Sequence, residues 1–204
     1  MNNVRTTNLD DQSSLKEEFN MILKEKRLTI HFQPIVHFKN AQIFGYEALS
    51  RGPVDSYFQY PTQLFPFAEN EGLLYSLEKI ARERAFEESK TIIKNEKLFI
   101  NLSAQVIYDN GFNPGHTISL LKEYALTPKD VVFEITERSA INDFSAFKVV
   151  LNHYREQGFQ IAVDDAGAGF SSLQAISELM PDYIKVDRSL ISGIDHNDVK
   201  MSIL

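Results

Sequence analysis

Two adjacent aspartates, Asp164 and Asp165, stand where an apolar segment meets a glycine-rich turn. Residues 161–163 have the pattern of a buried strand, and residues 172–180 that of an apolar helix. A strand that ends in paired carboxylates and leads through a tight loop into a helix is the outline of a metal site at the carboxyl end of an α/β-barrel strand. Because adjacent aspartates repel each other, an exposed acidic turn is the alternative interpretation of these two residues alone.

At the ends of the other predicted strands, the side chains that share one face are mostly polar. These are Glu47, Leu49 and Arg51, then Asn101 and Ser103, then Glu134 and Thr136 with Glu137 at the exit, and finally Lys185 and Asp187. Unpaired buried charge is unfavourable, so packing alone explains such a set poorly. Oxygen ligands of this kind select Mg²⁺ or Mn²⁺, and the cations of Arg51 and Lys185 suit a phosphate.

The elements that must position these groups alternate between strand and helix. Strands are predicted over residues 28–36, 45–51, 98–103, 131–136, 160–164 and 183–187. The first two are close enough to form an antiparallel hairpin, and the repeated strand–helix units that follow imply parallel strands covered by helices. The predicted fold class is therefore α/β, with about six strands.

Capping residues and helix-breaking residues predict the boundaries of two further segments. A capping box of Ser14 and Glu17 predicts that the first helix begins at Ser14. Gly52 and Pro53 predict the start of a long loop before a helix at residues 73–90. The aromatic side chains of that loop are expected to cover the barrel end, with ligand stacking as the lesser alternative; they are Phe58, Tyr60, Phe65 and Phe67.

Composition restricts the function further. The chain has 204 residues, a net charge of −7 and no cysteine. The negative charge argues against DNA binding, although divalent cations would let an acidic site take a phosphate. Without cysteine there is no disulfide framework and no thiolate metal site. Apolar runs fall short of the ~20 residues of a membrane span, and the amino terminus does not resemble a signal peptide. We therefore expect a cytoplasmic protein without a membrane partner.

The strand-end motifs resemble those of the EAL domain family, the bacterial cyclic-di-GMP phosphodiesterases. The likeness covers roughly residues 28–204 and rests on Glu47-Ala48-Leu49-Ser50-Arg51, Asn101-Leu102-Ser103, Glu134-Ile135-Thr136-Glu137, Asp164-Asp165 and Lys185-Val186-Asp187. Within the glycine loop, Ala166 and Ala168 replace residues that are often Phe and Thr in the family. The resemblance implies a TIM-like (β/α) barrel whose first strand is antiparallel.

The resemblance also implies metal ligands and catalytic residues. It assigns Glu47, Asn101, Glu134 and Asp164 to a first Mg²⁺ or Mn²⁺ ion, and Asp165 to a second. Lys185 would hold the attacking water, so Lys185, Asp165 and Glu47 are the expected catalytic residues. Two cations polarise one phosphodiester and generate hydroxide near neutral pH. The implied reaction is hydrolysis of cyclic-di-GMP to linear pGpG.

Further residues are implied to bind the substrate or to support the site. Arg51, Leu49 and Gln33 would contact cyclic-di-GMP. Glu137 would tether the loop of residues 165–170, which also figures in a homodimer contact in the family. Asp187 would have a supporting role.

The family's seventh-strand glutamate, and its glutamine-glycine motif near the eighth strand, have no counterpart within residues 1–204. Residues 1–12 are polar and have no period, so we expect a disordered tail there. We expect residues 13–204 to form a partial EAL domain with about six of the eight barrel strands. It would be a fragment of a longer enzyme or a shortened protein, weak or inactive on its own. The alternative function is an inactive module that binds cyclic-di-GMP or a protein partner in signalling.

Overall fold

Six strands form a single sheet in a computed structural model that describes residues 9–109, 111–113, 115–136, 144–167 and 172–203. The strands are β1 Thr29–Val36, β2 Ile43–Arg51, β3 Lys97–Asn101, β4 Val131–Thr136, β5 Gln160–Ala166 and β6 Tyr183–Val186. Their spatial order follows the chain, with β1 antiparallel to β2 and every later pair parallel. The predicted α/β fold with an antiparallel first strand is confirmed.

Helices precede, connect and follow the strands. Those that the structure describes are α1 Leu9–Glu25, α2 Pro61–Asn70, α3 Leu74–Ser89, α4 Gly115–Glu123, α5 Phe144–Glu156, α6 Ser172–Leu179, α7 Arg188–Ile191 and α8 Asp198–Ile203. Short 3₁₀ helices occupy Ala104–Tyr108, Pro128–Asp130 and Ile194–His196. Among the helices that the structure describes, none combines the length and the hydropathy that a membrane span requires.

The outer face of the sheet forms the main hydrophobic core. Side chains alternate between the two faces of a strand, and the outward set is almost entirely aliphatic or aromatic. This set comprises Leu98, Ile100, Val131, Phe133, Ile135, Ile161 and Val163. Leu151 and Tyr154 of α5 and Phe86 of α3 belong to the same buried cluster. Burial of this apolar surface fixes which face of each strand points inward.

The lower part of the inner face, away from the carboxyl ends of the strands, is filled by aromatic rings. Phe44 of β2, Phe99 of β3 and Tyr183 of β6 contact one another with centroid separations of 5.6–6.0 Å. Gly45 makes room for them, because a β-carbon there would lie 2.9 Å from the Phe99 ring. Contact between the rings of β2 and β6 shows that the sheet is curled into part of a barrel.

The helix start predicted at Ser14 is wrong. Helix α1 begins at Leu9, five positions earlier. Neither glycine nor proline occurs between Leu9 and Ser14, so each added residue extends the helix at little cost once the later turns have formed. Residues 1–8 of the predicted tail lie outside the part of the chain that the structure describes.

The prediction of a continuous loop before α3 is also wrong, because Pro61–Asn70 form a helix. Helix α2 begins with Pro61 in its first turn, a position where proline needs no hydrogen bond, and it contains a second proline, Pro66. Leu64 and Ala68 are fully buried one helical turn apart. Packing of this stripe, together with Phe58, against α1 and α3 outweighs the helix-breaking signal of the two prolines.

Candidate metal centre

The carboxyl ends of the strands bring the predicted acidic residues together on the inner face. The sheet register aligns Asn101 of β3 with Glu134 of β4, and Thr136 of β4 with Asp164 of β5. Parallel strands end at one edge, so these side chains converge. One carboxylate oxygen from each of Glu47, Glu134 and Asp164 lies within 4.8 Å of the other two.

Lys185 of β6 lies at the centre of this acidic cluster. Its Nζ is 2.7 Å from Oε1 of Glu134, 2.9 Å from Oε2 of Glu47 and 3.2 Å from Oδ1 of Asp164. The contact with Glu47 is a hydrogen bond that the ammonium group donates. Asn101 closes the group, because its Nδ2 donates to Oε1 of Glu47 over 3.4 Å. The structure therefore brings together five side chains from five strands.

Burial and charge shift the pKa values of this cluster. The side chain of Glu134 is fully buried, and burial raises the pKa of its carboxyl group to about 7, although Lys185 acts against the shift. Burial also disfavours the charged form of Lys185, but its carboxylate neighbours outweigh that effect and raise its pKa above the usual value. Lys185 therefore stays protonated at neutral pH.

The cluster fits a divalent cation. Glu47, Glu134 and Asp164 bring three potential negative charges, whereas Lys185 is the one cation within ion-pair distance among the described residues. Oε2 of Glu134 is buried without a hydrogen-bond partner in the described part of the chain. Buried polar atoms are normally satisfied, and carboxylate and amide oxygens suit hard divalent cations. The donor set therefore matches Mg²⁺, Mn²⁺ or Ca²⁺.

Asp164 and Asp165 are adjacent residues at the carboxyl end of β5, where the strand is irregular. Neighbouring strand residues normally point to opposite faces. Here the β5–β6 pairing is irregular between Val163 and Ala166, and Asp165 has a left-handed backbone with φ +55°. Aspartate tolerates this conformation better than most residues do. Burial, together with the nearby Asp164 carboxylate, raises the pKa of Asp165.

A cavity of about 660 Å³ opens beside the cluster. Leu49, Arg51, Asn101 and Asp165 contribute to its wall. Arg51 donates from Nη1 to the Ser50 carbonyl oxygen at 2.8 Å, and no carboxylate of the described residues lies within ion-pair distance of it. Its charge is thus available to a ligand that carries a phosphate. Apolar side chains such as Phe65 form another part of the wall.

Two predicted residues lie outside this arrangement, and a third is not among the described residues. Gln33 lies opposite Glu47 in the β1–β2 register but does not line the cavity. Asp187 caps α7 by accepting a hydrogen bond from the Ser189 backbone N–H over 2.7 Å. Glu137 lies outside the described residues, as do residues 168–170 of the loop predicted to contribute to a dimer.

Sequence reasoning missed Glu78, which also lines the cavity. This glutamate of α3 is 5% exposed, and its Oε1 accepts a hydrogen bond from the Ser103 backbone N–H over 3.0 Å. Burial raises the pKa of Glu78 to about 7. Glu78 directly follows Leu77 and precedes Ala81 on the apolar side of the helix, so a charge within that stripe was the available signal.

Comparisons with known proteins agree with these features. The family profile described as "EAL domain" matches residues 14–204. The probable cyclic di-GMP phosphodiesterase PdeB of Escherichia coli is 28% identical over 186 residues, which are 89% of this chain and 36% of that protein. The chain therefore spans little more than a third of the length of this relative.

Two similar solved structures contain the cyclic dinucleotide. The phosphodiesterase MucR of Pseudomonas aeruginosa in complex with c-di-GMP is 27% identical, with a TM-score of 0.78, over 93% of this chain and 78% of that one. The manganese and cyclic-di-GMP complex of Klebsiella pneumoniae BlrP1 is 29% identical, also with a TM-score of 0.78, over 87% of this chain and 44% of that one.

Proposed function

The chain belongs to the EAL domain family, and on that premise we propose that its site hydrolyses cyclic-di-GMP to the linear dinucleotide pGpG. The observation that carries the proposal is the convergence of Glu47, Glu134 and Asp164 around Lys185, beside a cavity whose wall contains Arg51. Relatives named as cyclic-di-GMP phosphodiesterases, and solved complexes with that dinucleotide, support the choice of substrate.

The acidic cluster is the proposed site of two Mg²⁺ or Mn²⁺ ions. Glu47, Asn101, Glu134 and Asp164 would hold one ion, and Asp165 would contribute to the other. When bound, the cations would neutralise charge on the phosphodiester and ease loss of a proton from water near neutral pH. The manganese in the BlrP1 complex supports this choice of metal.

Lys185 is proposed to orient the water that attacks phosphorus. Because its pKa is raised, Nζ keeps its proton and acts as a hydrogen-bond donor rather than as a base. The contacts with Glu47, Glu134 and Asp164 hold the ammonium group above the inner face of the sheet. A donor fixed in this way aligns a water lone pair without the entropy loss of a free side chain.

Arg51 and Leu49 are proposed to bind the dinucleotide. The guanidinium group of Arg51 can donate two parallel hydrogen bonds to a phosphate, and its contact with the Ser50 carbonyl oxygen fixes its orientation. Leu49 gives the same wall an apolar surface. Gln33 is retained as a proposed contact from β1, since its backbone faces Glu47 across the hairpin.

The first test measures binding of the metal ion and of the dinucleotide. The residues proposed to bind them lie on strands that the structure describes. Titration calorimetry of residues 1–204 should show Mn²⁺ binding, and cyclic-di-GMP binding when Mn²⁺ is present. Asp164→Ala should weaken Mn²⁺ binding strongly, whereas Asp195→Ala, which removes an exposed carboxylate far along the chain, should not. Arg51→Ala should weaken nucleotide binding and leave Mn²⁺ affinity unchanged. Equal Mn²⁺ affinity in the wild type and in Asp164→Ala would refute the metal centre.

Product analysis separates the enzyme from a binding module. Release of linear pGpG that is lost in Lys185→Ala supports catalysis at this site. Tight nucleotide binding without linear product from residues 1–204 fits both a module that senses cyclic-di-GMP and the weak enzyme expected above, so product formation is the outcome that decides.

Two further features belong to the proposal. A homodimer through the loop of residues 165–170 is proposed from the family resemblance, and sedimentation velocity with and without the dinucleotide tests it. A cytoplasmic location is proposed as well, and cell fractionation tests it.

A further inference from the structure

The two backbone N–H groups that directly follow Asn101 both donate hydrogen bonds that fix the path of the chain. Asn101 is the last residue of β3. The Leu102 N–H donates to the Glu134 carbonyl oxygen over 2.8 Å, which continues the pairing with β4. The Ser103 N–H has left the sheet and donates to Oε1 of Glu78 over 3.0 Å. The exit of β3 is therefore fixed by one strand contact and one side-chain contact.

Glu78 makes this contact from inside the protein. It lies on α3 and is 5% exposed, and its Oε2 has no hydrogen-bond partner in the described part of the chain. Arg82 lies one helical turn further on and donates from Nη1 to Oγ1 of Thr117 over 2.8 Å. Among the described residues, Ser103 is therefore the residue that binds the Glu78 carboxylate, and its backbone N–H donates to Oε1.

We propose that Glu78 is a positioning residue for the metal ligand Asn101, acting through the backbone of Ser103. The inference rests on the proposed function, because it takes Asn101 as a ligand. Ser103 lies between the end of β3 and the 3₁₀ helix Ala104–Tyr108, so no sheet carbonyl accepts from its backbone N–H. The Glu78 carboxylate supplies the missing acceptor and fixes where β3 stops. It thereby fixes the backbone from which the Asn101 amide reaches Glu47.

The expected effect is a loss of metal affinity that a neutral acceptor rescues. Residues that orient a metal ligand typically change affinity by about 10–100-fold when they are removed. Glu78→Leu should therefore weaken Mn²⁺ binding by about 10-fold or more, whereas Glu78→Gln, which retains a carbonyl acceptor, should bind nearly as the wild type does. Glu87→Leu is the matched control, because Glu87 is an exposed glutamate of the same helix.

The measurement is Mn²⁺ titration, by calorimetry and by electron paramagnetic resonance of the free ion, at a temperature where circular dichroism shows each variant folded. A purely structural role for Glu78 would lower the melting temperature of Glu78→Leu and leave the affinity of the folded protein unchanged. That result would overturn the inference.

A double-mutant cycle shows whether the effect passes through Asn101. In an Asn101→Ala background, adding Glu78→Leu should weaken Mn²⁺ binding no further, because the ligand that Glu78 positions is already gone. A full additional loss would overturn the inference and leave the proposed function standing. If Asn101→Ala alone binds Mn²⁺ as the wild type does, Asn101 is not a ligand, and the inference fails together with that part of the proposed site.

Ser103→Pro provides a second route if Glu78→Leu does not fold. Proline removes the N–H donor, and the Ser103 φ of −84° is close to the value that proline adopts. The variant should lose Mn²⁺ affinity by about the same factor as expected for Glu78→Leu, on the order of 10-fold or more. Wild-type affinity in folded Ser103→Pro would overturn the inference.

Discussion

Glu134 and Glu78 are two buried glutamates with the same pKa shift and different surroundings. Burial raises the pKa of each carboxyl group to about 7. Glu134, on the inner face of β4, lies among the charges of Lys185, Glu47 and Asp164. Glu78, on α3, accepts one backbone N–H and lies one helical turn from Arg82.

The comparison shows that a buried carboxylate does not by itself mark a metal site. At Glu134 the neighbouring carboxylates repel one another, so a bound cation relieves both the repulsion and the burial of charge. At Glu78 the hydrogen bond comes from a neutral backbone N–H, and the nearby charge is the cation of Arg82, so there is no repulsion between carboxylates for a metal ion to relieve. The identity of the neighbours, and not the depth of burial, separates the two proposed roles.

The largest expected difference comes from making the same substitution at both positions. Glu134→Gln removes a proposed ligand charge and should weaken Mn²⁺ binding by more than about 100-fold, beyond the range for residues that only orient a ligand. Glu78→Gln should leave the affinity nearly unchanged. Parallel Mn²⁺ titrations check the pair, and similar affinities for the two variants would remove the distinction.

A second difference is the pH dependence of the free energy of unfolding. The pKa of Glu78 is about 7 in the folded protein, against about 4.3 in an unfolded chain. The folded state therefore binds the proton more tightly, and the stabilisation present below pH 4.3 is lost as pH rises towards 7. Relative to Glu78→Gln, the wild type should lose about 3 kcal/mol across this range.

Urea unfolding in EDTA at several pH values measures this effect. The contribution of Glu134 to the pH dependence cancels, because the wild type and Glu78→Gln both contain it. A constant difference in unfolding free energy between pH 4.5 and pH 8 would contradict the expectation.

Removal of the central cation should have a somewhat smaller effect on stability. Lys185→Met leaves Glu47, Glu134 and Asp164 without their ammonium partner. Breaking a fully buried pair costs about 3–5 kcal/mol, but the Lys185 side chain is 27% exposed, so solvent screening reduces the expected loss to about 2 kcal/mol. Mn²⁺ should restore part of the lost stability, since a bound ion stabilises the folded state. Urea unfolding with EDTA or Mn²⁺ provides the measurement, and Lys148→Met, in an exposed pair with Glu178, is the control.

The smallest effect is expected at the edge of the acidic cluster. Asp165 has φ +55°, a conformation that asparagine tolerates and that a β-branched residue resists. Asp165→Asn should change the unfolding free energy by less than about 0.5 kcal/mol, whereas Asp165→Val should lower it by about 1–2 kcal/mol. Both variants should lose the second Mn²⁺ ion in titrations. If Asp165→Val is as stable as Asp165→Asn, the strain does not exist.

The strands and their polar ends could be predicted because both leave local patterns. Alternation of apolar and polar residues places Glu134 and Lys185 on the inner face once their strands are recognised. The short segment between β1 and β2 likewise predicts the antiparallel hairpin that is observed. These predictions required only the periodicity of each strand and the rule that the carboxyl ends of parallel strands lie at one edge of the sheet.

Helix α2 and the role of Glu78 could not be predicted in this way. Pro61 and Pro66 give a loop signal, and only packing against α1 and α3 outweighs it. Glu78 and Arg82 are four residues apart, a spacing that is ordinary for an exposed helical ion pair. The position of Glu78 beside the apolar stripe of α3 indicates burial, but its contact with the end of β3 is a tertiary property that no short sequence window contains.

The curled sheet has a consequence for the order of folding. Glu47 and Lys185 are separated by 138 positions, so their contact closes one of the longest loops in the chain. At about 5–20 residues per second, a ribosome would deliver Lys185 roughly 7–28 s after Glu47. Until then the Glu47 carboxylate lacks its ammonium partner, and solvent, free counter-ions and the Asn101 amide compensate its charge. Contacts of such long range also slow refolding. Metal affinity should therefore be among the last properties to return when the denatured chain refolds.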